Sequence, residues 1–343
     1  MSNDKQTQRA GNNSQLLQAD TIIINTGIDE VRVREICDES VKHAIEEYSA
    51  EAQAIAVERI NIFTDMLISR LEKVENAFQA FSEPRFQLLL RQAQKSAACS
   101  DSEMDYELLC DLLIQKVDDH KDRITTHYIS RAIDIVNEVD YNALCALTII
   151  CFLCGYTPNV GNVSGYINLF CKVINTLSLD SLPKDTEWID HLESLGLLRI
   201  VFIDRIPVDK FFRENLSGLI CAGIRYESDN YCKAQQILQT TISSSVNTLV
   251  QNELLQGYVR LPICSTKKCL PPDTSITQVL SLYDNDEIFL NEALYCFMHK
   301  MHSNNLIDKV ISWWNNIPFS IFPMPLGTTL VSANMVRLNI DIL

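Results

Sequence analysis

The chain has 343 residues, 47% of them hydrophobic, and carries 44 acidic against 29 basic side chains, a formal charge of −15. That length allows two or three domains with sizeable cores. The acidic balance repels phosphate backbones and so disfavours broad nucleic-acid binding. Twelve cysteines do not indicate a secreted disulfide scaffold, because such scaffolds are short and place their cysteines in loops. Here Cys145, Cys151, Cys154, Cys171 and Cys296 sit inside apolar helical runs. They read as reduced thiols packed as small hydrophobes in a cytoplasmic protein, and we expect no signal peptide.

In chain order, residues 1–15 are polar and aperiodic and read as a flexible tail. Residues 16–27 contain Thr21, Ile22, Ile23 and Ile24, a β-branched run stopped by Gly27, which favours a strand. No second strand follows at hairpin distance. A strand without a local partner leaves backbone groups unsatisfied unless copies pair with one another, so this stretch is predicted to join chains. Asp29 is a plausible helix cap, and no Pro or Gly interrupts residues 28–83, so the pattern predicts one long helix to about Phe81. Apolar residues at Val41, Ile45, Tyr48, Ala52, Ile55, Ile62 and Met66 alternate spacings of four and three, with Arg59 in one position of the row. That is a coiled-coil-like face. A second stripe holds Ala44, Val57, Phe63, Leu67, Leu71 and Val74, so the helix has one face for its own domain and one for a partner. The predicted oligomer contacts are therefore Leu17, Thr21, Ile22, Ile23, Ile24, Val41, Ile45, Tyr48 and Ile55.

Further helices are predicted over residues 84–98, 103–117, 126–139 and 140–154, which completes a helical region spanning 28–157. The apolar run at 144–155 is too short to cross a membrane, which takes about 20 residues. The turn-rich stretch GYTPNVGNVSG, residues 155–165, reads as a joint ahead of an α-rich region, 163–343. There, residues 186–203 read as helix, Gly turn and strand. Two more helices lead into FSIFPMPLGTTLVSANMVRL, with Leu326 and Gly327 opening the last one. The cadence is winged-helix-like. The predicted fold class is mainly α with a small β content.

Three features together, Gly11-Asn12-Asn13-Ser14 with Gln18-Ala19, the run from Ile22 to Gly27, and a helix carrying Val31, Arg34, Glu35 and Ile36, resemble the opening of a family of bacterial helical proteins. AQKSAA at 93–98, LLCDLL at 108–113 and Pro325-Leu326-Gly327 are similar to its middle and C-terminal segments. The resemblance implies an accessory component of an anti-phage defence locus. It implies no catalytic residues.

Candidate chemistry is sparse. Cys264 and Cys269 in a loop, with His299 and His302 at i, i+3 on a later helix, are the residue types that hold zinc, although the two pairs lie about thirty residues apart. The bland alternative is a loop with two thiols and a helix with surface histidines. Cys151-x-x-Cys154 imitates a redox pair but ends an apolar helix with no base beside it, so packing is the better reading. Asp118, Asp119, His120, Asp122 and His127 read as an inter-helix turn with Asp caps. Trp313-Trp314 could stack bases but suits a core or interface. No GxGxxG, GKS/GKT or Gly-x-Ser-x-Gly pattern occurs, and no cofactor is expected. The expected function is a self-associating scaffold or sensor in anti-phage defence, partnered by itself and another protein, without nucleic acid or membrane. The alternative is an effector enzyme or toxin with a zinc-supported site.

Overall fold

The computed structural model describes residues 28–45, 49–118, 122–201, 206–240, 248–267 and 274–340. The predicted strand at 16–27, and with it Leu17, Thr21, Ile22, Ile23 and Ile24, lies outside them.

The protein is mainly α. The N-terminal half is built from α1 (Glu30–Ile45), α2 (Ala50–Leu71), α3 (Pro84–Cys99), α4 (Glu103–Asp118), α5 (Arg123–Ile135) and α6 (Tyr141–Ile150). The expected single long helix is two. Ser49 has extended backbone angles and its hydroxyl accepts from the Ala52 amide, so it starts α2 rather than continuing α1. Serine readily offers the backbone this local alternative, which is why it favours caps over helix interiors. The chain then doubles back. Arg34 of α1 meets Asp65 of α2 at 3.0 Å, while Val41 packs with Ala56 and Ile60, so the two helices form an antiparallel hairpin. Caps set the other starts too. Asp122 accepts from the Ile124 and Thr125 amides to open α5, as the Asp-rich turn suggested, and Asp140 accepts from Ala143 to open α6. At its end α6 widens into one π turn, Cys151–Gly155.

The second half runs through α7 (Val163–Leu177), α8 (Glu187–Ser194), β1 (Leu198–Val201), α9 (Val208–Asn215), β2 (Ile224–Arg225), α10 (Asp229–Thr240), β3 (Val250–Gln251), β4 (Tyr258–Arg260), α11 (Thr274–Leu280), α12 (Glu287–His302), α13 (Asn305–Asn316), β5 (Ser320–Pro323) and α14 (Pro325–Arg337). The two helix–strand pieces expected at 186–203 and near the C-terminus come together. β1 pairs antiparallel with β5, Leu198 opposite Pro323 and Val201 opposite Ser320. The Leu-Gly pair at 326–327 now has a physical reason. A methyl group on Gly327 would overlap the carbonyl oxygen of Leu197, and the Met324 amide donates to that same oxygen at 3.0 Å. Glycine lets α14 lie directly on the turn before β1.

One hydrophobic core runs from Val33 to Ile340 and crosses the joint expected at 155–165. Its centre is aromatic. Phe152 stacks on Phe170 with centroids 4.9 Å apart, and Tyr166, Phe212 and Phe297 close around them. A smaller core gathers Cys221, Ile224, Ala234, Leu238, Val259, Ile276 and Tyr283 around the sheet β2–β4–β3.

Candidate interaction surface

Part of each stripe expected on the long helix falls on α2: Phe63, Leu67 and Leu71 of the inner row, and Ala52, Ile55, Ile62 and Met66 of the outer one. Ala56, Ile60, Phe63, Leu67, Ile68 and Leu71 are buried against α3 and α4. The other stripe faces out: Ile55 is 53% and Ile62 48% exposed, with Ala52 and Met66 half-buried between the faces. Arg59 sits in the middle of this stripe, but its guanidinium is drawn to the side. It donates to the Ala98 carbonyl at 3.2 Å and lies 4.0 Å from Asp101. Glu51, Glu58 and Asp65, seven residues apart in sequence, are all exposed along the outer margin. Of the other residues predicted to face a second chain, Val41 is covered within the chain by Ala56, Ile60 and Ala98. The bend before α2 takes it out of line with Ile55. Tyr48 and the side chain of Ile45 lie outside the described residues.

The zinc candidates are placed apart in character. Cys264 is buried in the main core. His299 is exposed at the end of α12, and His302 Nδ1 sits 2.7 Å from Asp308. Cys269 lies outside the described residues. Among those residues, no group of three or more His, Cys, Asp and Glu side chains gathers as a metal site would require. Cys151 is fully buried and burial pushes its thiol well above the ordinary range, as in a packing role rather than a nucleophile. Cys37 is likewise pushed up to about 12, chiefly by burial. Of the 118–127 turn, Asp119 and His120 lie outside the described residues, and Asp122 serves as the cap of α5. Trp314 is buried, and Trp313 stacks on Trp188 at 5.8 Å with its indole N–H on the Pro183 carbonyl, so the pair is structural.

Two polar networks gave no sequence signal. At the junction of α2, α4 and α14, Arg70 lies 2.6 Å from Asp111 and 3.4 Å from Glu107, and Arg337 lies 3.5 Å from Glu107. Burial raises the Asp111 carboxyl above its ordinary value, outweighing the opposing pull of Arg70. Asn334 continues the chain of contacts to the Thr148 hydroxyl at 3.0 Å. The second network centres on Arg260, whose side chain is wholly buried. It donates to the carbonyls of Gly161 and Leu261 at 3.0 Å each and to Glu253 at 3.3 Å. Glu253 in turn accepts from the Val163 amide at 2.6 Å, the first residue of α7. These charges are paired across segments far apart in sequence, although Asp111 Oδ2, Arg260 Nε and one Arg337 terminal nitrogen are buried without a hydrogen-bond partner. Charge alone reads as surface, so a sequence scan passes them over.

A shallow groove of about 730 Å³ lies between the α5–α6 and α7–α8 connections, edged by Glu138, Asp140, Asp180, Asp185 and Glu187 with Trp188 at its base. Among the described residues, no helix is long and apolar enough to cross a membrane.

Fold and surface together define a mainly helical protein that buries one face of α2 and leaves the other outward. A family model described only as ":-like", a description that names no activity, matches residues 27–342, and the chain belongs to that family. No curated protein and no solved structure matches the chain.

Proposed function

We propose that the chain is a self-associating helical scaffold or sensor that serves bacterial anti-phage defence in the cytoplasm. The observation that carries the interaction role is the second face of α2. Ile55 and Ile62 stand about half in water on a helix whose opposite side is packed, and set on one stripe they form a small apolar surface that a partner can cover. Self-association rests on the sequence of residues 16–27, outside the described residues, where Leu17, Thr21, Ile22, Ile23 and Ile24 give the pattern of a strand, and a strand without a local partner pairs with another chain. The defence setting rests on the resemblance of the GNNS-to-Gly27 opening and of Pro325-Leu326-Gly327. The winged-helix-like pieces enter this reading as protein-facing. Residues 186–196 hold no Lys or Arg and residues 326–337 hold only Arg337, whereas a recognition helix for DNA carries clustered basic side chains.

The test is solution mass by light scattering, of the full chain and of a chain starting at Asp29. The expected result is a defined oligomer for the first and a monomer for the second. Equal masses would sink the self-association reading.

A further inference from the structure

We infer that the outward face of α2 docks an amphipathic helix of a different protein, one whose apolar stripe is flanked by a row of Lys or Arg. The inference rests on the proposed interaction role and names the occupant of that face. Ala52, Ile55, Arg59, Ile62 and Met66 fall at spacings of three, four, three and four, the pattern that meets a single partner helix along about two heptads. Among the described residues, one margin of this stripe is open to solvent. The other is filled by the chain's own bundle, where Ala56 and Phe63 are buried.

Charge decides who fits. Glu51, Glu58 and Asp65 occupy one heptad position along the open margin, and Asp101, 91% exposed, stands near Arg59 on the bundle side. Asp65 is partly answered by Arg34. Glu51 and Glu58 have the solvent-facing edge, and a partner's basic row would meet them across the stripe. A second copy of α2 fits badly. Antiparallel, it would set Glu58 against Glu58 and Glu51 against Asp65, and like charges facing each other in this way destabilise the pair. Parallel, it would need its row to reach Ala56 and Phe63 of the first copy, which lie inside the bundle. The chain's own opening segment fits badly too, since residues 1–27 hold Lys5 and Arg9 against Asp4 and Asp20, with no basic row. A basic amphipathic helix satisfies the isoleucines and the carboxylates together.

The test uses the full chain and two designed amphipathic peptides of three heptads, identical except that Lys or Glu flanks the apolar stripe. Binding is followed by fluorescence anisotropy. The Lys-flanked peptide is expected to bind and the Glu-flanked one to bind at least about tenfold more weakly, an electrostatic preference that falls with added salt. The double variant I55D/I62D should lose the Lys-flanked peptide by about tenfold or more while keeping its circular dichroism and its light-scattering mass. E51K/E58K should reverse the preference between peptides, which a folding defect would not do. The inference is overturned if the Lys-flanked peptide does not bind, if neither pair of substitutions alters binding, or if I55D/I62D breaks an oligomer, which would assign the face to a second copy. A failure of self-association at residues 16–27 would appear instead as equal masses with and without that segment and would leave the peptide result intact.

Discussion

Replacing Arg260 by Met keeps the aliphatic stem in place and removes the guanidinium. Two carbonyls, the part-buried one of Gly161 and the buried one of Leu261, then lose their donor, and Glu253 loses its counter-charge while still holding the Val163 amide. An orphaned buried acceptor costs about 1–3 kcal/mol, and breaking a buried ion pair about 3–5 kcal/mol. Offsetting these, Arg260 Nε itself has no partner, and Glu253 is 30% exposed, so water can take over part of its solvation. The balance comes to roughly 3 kcal/mol, about a hundredfold in a local opening equilibrium. Amide hydrogen exchange reads this at the right place. The protection of Val163 and Tyr166, at the start of α7, should fall by about two orders of magnitude, while amides in α3 and α4 hold. Arg260→Lys should fall between, since it keeps the charge but not the planar fork. If Val163 and Tyr166 stay within a few-fold of wild type in R260M, Arg260 is not what pins the 155–165 segment, and the reasoning fails.

Gly327→Ala should lower the thermal midpoint markedly, because the new methyl group meets the Leu197 carbonyl rather than a movable side chain. A change of under a degree would refute the close approach of α14 to the turn before β1. Asp105 is buried, accepts from the Ser100 hydroxyl, and has its carboxyl raised above the ordinary value mainly by burial. A raised folded pKa means that the native state binds the proton more readily than the unfolded chain, so this group's contribution to stability grows as pH falls from neutral towards about 4. In urea titrations across that window, wild type should therefore gain on Asp105→Asn as the solution is acidified, and a constant or shrinking difference would contradict the assignment.

Much of the helical frame could be read directly, since a cap such as Asp122 and the 3.6-residue periodicity act locally. The cadence of helix, Leu-Gly and strand was also visible at both 195–201 and 320–327, but not that the two strands pair with each other across more than a hundred residues. The break before α2 was missed because its signal is one serine, with no Pro or Gly to mark it. In residues 206–285 the strands have two or three residues each, too short for an alternating pattern to register. On the candidate surface, Ile55 was predicted and stands outward. Val41 belonged to the same periodic row and is buried, because the bend between α1 and α2 rotates it away. Periodicity describes one helix at a time and carries no information about where the chain turns.

The last helix carries a consequence for how the protein is made. α14 packs against α4, α5 and α6, Tyr156 donates to the Thr328 carbonyl, and Arg337 reaches back 230 positions to Glu107. While the chain is being synthesised, the N-terminal bundle lacks one wall until α14 has emerged, long after α4. Contacts of such long sequence separation form late. The apolar flanks of α4, α5 and α6 therefore stay uncovered until α14 is made, and a chain cut short before Pro325 would be left with an open core rather than a smaller folded protein.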